Sequence, residues 1–151
     1  MQQKSFQDLF GSENHCFGCG MNNEYGLRIK SFWEGNSAVA TFNPQPHHCA
    51  GSTQIVNGGI LGALIDCHSN CFAIADAYKR DGREIGTHPD IWYVTANLNV
   101  SFKKPVPIDS LIYLKAVVNK VDGRKTWVNC ELFSKDVVCV TGEVLSIRLI
   151  K

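Results

Sequence analysis

One stretch constrains this chain more than any other. Val56-Asn57-Gly58-Gly59-Ile60-Leu61-Gly62-Ala63-Leu64-Ile65-Asp66 runs on through Cys67-His68-Ser69-Asn70-Cys71-Phe72-Ala73-Ile74-Ala75-Asp76-Ala77-Tyr78. It predicts one long helix ending near Tyr78-Lys79-Arg80. Apolar or small residues fall on nearly every side, so such a helix is enclosed by the rest of the fold. Asn57 is a favoured N-cap residue. The Gly58-Gly59 pair leaves the first backbone N–H groups sterically open, and the helix dipole adds positive potential there. The helix start is therefore an anion or oxyanion site made of backbone.

Asp66 is the one charge in the first two turns. It lies seven residues after Gly59, close to two turns, or about 10 Å along the axis. A buried carboxylate is costly unless it is paired or used. Taken singly, Gly58-Gly59 would serve close helix packing, and Asp66 would serve as a structural carboxylate bonded to backbone. Together they point to a site. Gly59 and Asp66 of one chain cannot both reach one reacting atom. If both act, a second copy of the helix must run past the first, which predicts a homodimer with composite sites.

The rest of the chain reads as one domain over residues 1–151, with 1–24 as a lead-in and a Cys/Gly-rich loop. Apolar content of 44% supports a real core, and charged content of 19% is too low for disorder. A net charge of +1 argues against a dedicated nucleic-acid binder. No uninterrupted apolar run reaches the ~20 residues that span a bilayer, and Met1-Gln2-Gln3-Lys4-Ser5-Phe6 lacks the apolar core of a signal peptide. Seven cysteines without a secretory signal fit reduced thiols in the cytoplasm.

Residues 4–14 read as a short helical lead-in ending near Gly11-Ser12. Leu27 to Trp33 and Ala38 to Phe42 read as strands joined at Glu34-Gly35-Asn36. Pro44 and Pro46 exclude regular structure from 43–52. After the helix, Trp92, Val94, Ala96, Leu98, Val100 and Phe102 alternate with Tyr93, Thr95, Asn97, Asn99 and Ser101. That period predicts a long strand with one face on a core and one polar face. Leu111 to Val121, Lys125 to Phe133 and Val137 to Ile150 follow as strands, turning at Asp122-Gly123 and Ser134-Lys135-Asp136. A slip of alternation at Val144-Leu145 predicts a bulge. The fold class is α+β. A lone apolar helix with about six antiparallel strands belongs on the concave side of a curved sheet, the hot-dog arrangement.

Cys16-Phe17-Gly18-Cys19-Gly20, Asn23, Gly26-Leu27, Asn57-Gly58-Gly59, Asp66 and the strand ending in Lys104-Pro105 together resemble the hot-dog acyl-CoA thioesterases of the PaaI type, within the 4-hydroxybenzoyl-CoA thioesterase superfamily. The resemblance covers roughly residues 14–150. It implies that the N–H of Gly59, with Gly58 beside it, polarises a thioester carbonyl. It implies that Asp66 of the partner chain activates water or attacks directly, and that Thr95 assists the water. It also implies an acyl-CoA substrate, a homodimer or a dimer of dimers, and coenzyme A only as part of the substrate. Most members have histidine where this chain has Asn57. Asparagine still caps and donates a hydrogen bond, but it carries no proton at neutral pH.

Arg80, Arg83, Lys103 and Lys104, at the ends of the helix and the long strand, are the candidates to meet coenzyme A phosphates. Two other functions stand beside hydrolysis: a non-catalytic acyl-CoA binder, and a hot-dog hydratase or dehydratase. His15, Cys16, Cys19, His47, His48 and Cys49 would compose a zinc site if the His-His-Cys cluster completed the Cys-x-x-Cys half. The second half lacks standard spacing, the resemblance explains the cysteines as a packed loop, and no metal is assigned. Cys67 and Cys71 share a helix face, where small apolar packing suits them, and His68 points elsewhere.

Overall fold

The computed structural model describes residues 2–11 and 13–150. Ser12, at the expected end of the lead-in, lies outside the described residues, as do Met1 and Lys151. The lead-in forms only one turn of helix, α1 (Phe6–Leu9), capped reciprocally by Ser5 and Asp8. β1 (Ser31–Glu34) and β2 (Ser37–Phe42) form a hairpin over Gly35. β1 begins four residues later than the sequence suggests. Leu27 N and Ile29 N donate to Phe17 O and Gly18 O at 2.7 and 3.0 Å, so this segment pairs with the cysteine loop in place of the sheet. Pro46–His48 make a single 3-10 turn in the segment expected to be irregular.

The long helix, α2, runs from Gly58 to Arg80. Four strands follow: β3 (Tyr93–Phe102), β4 (Ile112–Asp122), β5 (Lys125–Ser134) and β6 (Val137–Arg148). All pairings are antiparallel, and the sheet order is β1-β2-β4-β5-β6-β3. The tight turns have the chemistry they need. Gly123 takes φ +57°, and Lys135 and Asp136 both take positive φ, as a hairpin turn matched to strand twist requires.

Leu64, Ile65, Phe72 and Ile74 of α2 are fully buried against Ile112, Leu114, Val128, Leu132, Val140 and Val144 of the sheet. Each such side chain contributes about 1.5–3 kcal/mol of burial free energy. By length and composition α2 is also long and apolar enough to cross a membrane, which corrects the reading that no such segment exists. The sheet takes up its apolar residues here. His68 is the fully buried polar residue of α2 with both ring nitrogens bonded. Its Nε2–H donates to Ala38 O (3.1 Å), and its Nδ1 accepts from Ser31 Oγ (2.7 Å). Gln7 closes the network through Ser31 N (2.7 Å) and Ser31 Oγ (3.0 Å). Burial pushes the His68 pKa down to about 4, so the ring is neutral.

β3 departs from its predicted facing. Thr95 pairs with Ser146, but Asn97 pairs with Leu145, so Ala96 is an extra residue. A bulge reverses the alternation. Tyr93 and Thr95 therefore share the concave face with Leu98, Val100 and Phe102, while Val94 lies on the other face with Asn97, Asn99 and Ser101. The bulge expected in β6 at Val144-Leu145 is on the strand opposite. β6 stays in register with β5 through Val128↔Val144 and Trp127↔Leu145. The core face expected for β3 is also only partly covered. At the sheet edge, Leu98 is 42% and Phe102 56% exposed.

Candidate active site

The helix start is built as the glycines and Asn57 suggest. Asn57 Oδ1 accepts from Ile60 N at 3.1 Å, and Asn57 O accepts from Leu61 N at 3.2 Å. Those two bonds use the third and fourth N–H groups of α2. The N–H groups of Gly58 and Gly59 then have no protein acceptor among the described residues, as the geometry of a helix end dictates. A Cβ on Gly59 would sit 2.9 Å from Asn57 Oδ1, so the cap and the small residue suit each other. The ring of Phe102 packs over Gly58, which brings the end of β3 to the tip of the helix.

Two turns on, Thr95 Oγ1 donates to Asp66 Oδ1 at 2.6 Å. The bulge at Ala96 follows directly after Thr95, so this hydroxyl is turned inward toward α2 at the point where the strand's facing changes. Burial raises the Asp66 pKa from the ordinary carboxylate value, and the Thr95 hydroxyl opposes that rise. Asp66 lines a cavity of about 270 Å³ with Thr95, Tyr93 and Asn70. Asn70, one turn after Asp66 on the same face, donates to Tyr93 O at 3.1 Å, and its Oδ1 is buried without a hydrogen-bond partner among the described residues. The sequence reading passed over Asn70, although an i,i+4 polar pair on an otherwise apolar helix is a readable signal.

The candidates for coenzyme A phosphates divide between the two ends of α2, about 33 Å apart. Lys103 and Lys104 are exposed and follow Phe102, at the Gly58 end. Arg80 and Arg83 are at the other end and already engaged. Arg80 pairs with Asp76 at 2.8 Å, and Arg83 donates to Thr87 O and Pro89 O and lies over the Tyr78 ring. Within one chain the structure does not bring Arg80 or Arg83 to Gly59.

The zinc grouping read from sequence is also not brought together. His48 accepts from Gln45 N, and its ring lies tilted against those of Phe42 and His47. The sulfur that meets Cys16 and Cys19 is that of Cys67 on α2 instead. His68 is turned away from them into the network described above.

One sheet closed round one helix, with an open glycine tip and a half-buried carboxylate two turns below it, defines the hot-dog class of proteins. A family profile described as Thioesterase superfamily matches residues 53–141, which span Asn57, Gly58, Gly59, Asp66 and Thr95. The chain belongs to the thioesterase superfamily. A mouse protein named acyl-coenzyme A thioesterase THEM4 is 30% identical over 133 residues, which are 88% of this chain and 46% of its own length. A Xenopus laevis protein of the same name is 29% identical over 98 residues, 65% of this chain and 38% of its own. The chain thus spans less than half the length of these curated relatives.

Among solved structures, a thioesterase superfamily protein from Shewanella loihica superposes with a TM-score of 0.67 at 28% identity, over 91% of this chain and 96% of that one. The Escherichia coli PaaI protein superposes at 0.66 with 16% identity, over 82% and 81%. At that identity the likeness is one of fold.

Proposed function

We propose that this protein hydrolyses acyl-CoA thioesters in sites shared between two copies of the chain. The Gly59 N–H of one copy, with Gly58 beside it, holds the developing oxyanion. Asp66 of the other copy acts as base toward water, or attacks the carbonyl directly. The observation that carries this reading is the Asp66–Thr95 hydrogen bond at 2.6 Å. It occupies one carboxylate oxygen and leaves the other for a water or an acyl carbon. Thr95 fixes the direction of that second oxygen, and the unpartnered Asn70 Oδ1 offers a further acceptor for the water.

The energetics suit the chemistry. One well-placed oxyanion donor is worth about 3–4 kcal/mol, and a positioned base about 10²–10⁴-fold. Backbone amides at a helix start are fixed before substrate arrives, so no reorganisation is needed at the transition state.

This reading calls for a second copy, because the two groups lie about 10 Å apart on one helix. β3 supplies a place for it. It is a ten-residue edge strand that among the described residues pairs with β6 alone, and it exposes Leu98 and Phe102. An uncovered edge of this length invites pairing with another strand. A second β3 laid against it would extend the sheet across the dimer and bring each helix tip toward the other helix. Lys103 and Lys104, beside that tip, are then the chain's own candidates for substrate phosphates.

The test is thiol release from short, long and aromatic acyl-CoAs. The reading expects turnover with at least one class and its loss in Asp66→Asn. Tight binding without thiol release by the wild-type protein would overturn hydrolysis and leave an acyl-CoA binder.

A further inference from the structure

We propose that Cys16, Cys19, Cys67 and Cys71 form a zinc site that clamps the N-terminal loop onto α2 next to Asp66. The Sγ atoms of Cys16, Cys19 and Cys67 all lie within 4.8 Å of one another. Cys16 and Cys67 are 3.6 Å apart, sulfur to sulfur. Tetrahedral zinc at about 2.3 Å from each thiolate holds its sulfurs about 3.8 Å apart. Cys71 follows one turn after Cys67 on the same face of α2 and lines the same cavity as Cys16, Cys19 and Cys67. The two halves have spacings of Cys-x2-Cys and Cys-x3-Cys, both within the range of structural zinc sites.

The surrounding loop is shaped for the sulfurs. A Cβ on Gly18 would come within 2.2 Å of Cys67 Sγ, so only glycine lets the loop lie this close to the helix. A Cβ on Gly20 would meet Cys16 N at 2.4 Å, and Gly20 N donates to Cys16 O at 2.8 Å. Asn14 completes the outer layer. Its Nδ2 donates to Cys19 Sγ at 3.6 Å, and its Oδ1 accepts from Cys16 N at 3.0 Å. An amide donor to a ligand sulfur is the kind of support that holds thiolate sites in shape.

A disulfide would use two of these sulfurs and leave two behind. A metal uses all four and joins two segments 51 residues apart in sequence. Zinc binding by four cysteines releases their thiol protons and changes no oxidation state. Its role is positional: Cys67 is the residue after Asp66, so the clamp fixes the turn of α2 that carries the carboxylate.

The experiment is metal analysis of the whole protein, prepared reduced and dialysed against buffer with trace zinc. About one zinc per chain is expected. Cobalt added to the metal-free protein should give the visible bands of a tetrahedral site, with strong thiolate-to-cobalt absorption in the near ultraviolet. Cys19→Ser and Cys71→Ser should each lose zinc, while Cys49→Ser and Cys139→Ser keep it. A reduced wild-type protein that takes up neither metal overturns the proposal. So does a mass lowered by two hydrogens with Cys16 and Cys67 joined after gentle reduction, or full zinc retention by Cys71→Ser. The cobalt spectrum is read on the wild-type chain, so it decides the matter even if a serine variant fails to fold. Metal content is independent of turnover, so this result stands apart from the thioesterase reading.

Discussion

Thr95 donates its hydroxyl to Asp66 across 2.6 Å, tying the edge strand of the sheet to the central helix. This contact exists because one extra residue, Ala96, turns the strand just after Thr95. If the contact aims the carboxylate, Thr95→Val should lower kcat about 10-fold or more with little change in KM, and Thr95→Ser should restore most of it. Asp66→Asn should cost about 10²–10⁴-fold. Steady-state thiol release with one good acyl-CoA measures all three.

At the helix tip, Gly59→Pro removes the N–H while the first helical turn tolerates proline. The expected loss is about 10²–10³ in kcat, with the chain still folded by circular dichroism. Asn57→Ala removes the cap on Ile60 N and should cost about 1 kcal/mol of stability, read from urea unfolding.

His68 makes stability depend on pH. Its folded pKa is about 4, below the ordinary value of about 6.5 in an unfolded chain. Above pH 6.5 neither state binds the proton, and the contribution of the buried neutral ring is fully present. As pH falls from 6.5 toward 4 the unfolded chain is protonated first, and stability drops. The loss should be about 2 kcal/mol by pH 5 and approach about 3 kcal/mol below pH 4. Urea unfolding at pH 7.5 and pH 5 gives the difference, and His68→Gln should flatten it.

The exposed edge of β3 predicts assembly. Leu98→Lys combined with Phe102→Glu should halve the mass in sedimentation and abolish turnover together, since these side chains are 42% and 56% exposed in one chain. A double variant that keeps both its mass and its activity would move the interface elsewhere.

The parts of the fold set by local chemistry were legible before any coordinates. The bounds of α2 follow from Asn57-Gly58-Gly59 at one end and Lys79-Arg80 at the other, and the hairpins from Glu34-Gly35-Asn36 and Asp122-Gly123. What escaped the sequence is long-range. Nothing near Ala96 announces a bulge, because its cause is the register demanded by Ser146 and Leu145 across the ladder. Leu27 and Ile29 look like strand residues, yet they bond to Phe17 and Gly18. Cys67 and Cys71 do sit in the core, but the sulfur of Cys16 that meets Cys67 lies 51 positions earlier, beyond the reach of any local pattern. Asp66 and Gly59 stand out because one charge and a glycine pair interrupt the apolar first half of the helix, while the Asn70 bond to Tyr93 O joins residues 23 positions apart.

The shared site is tested most directly by mixing two inactive proteins. Asp66→Asn and Gly59→Pro are each purified, unfolded together in equal amounts and refolded, and thiol release is measured. If each site takes its amide from one chain and its carboxylate from the other, half of the dimers are mixed and each holds one intact site of two, so activity should return to about a quarter of wild type. A mixture as inactive as its two components would contradict the account.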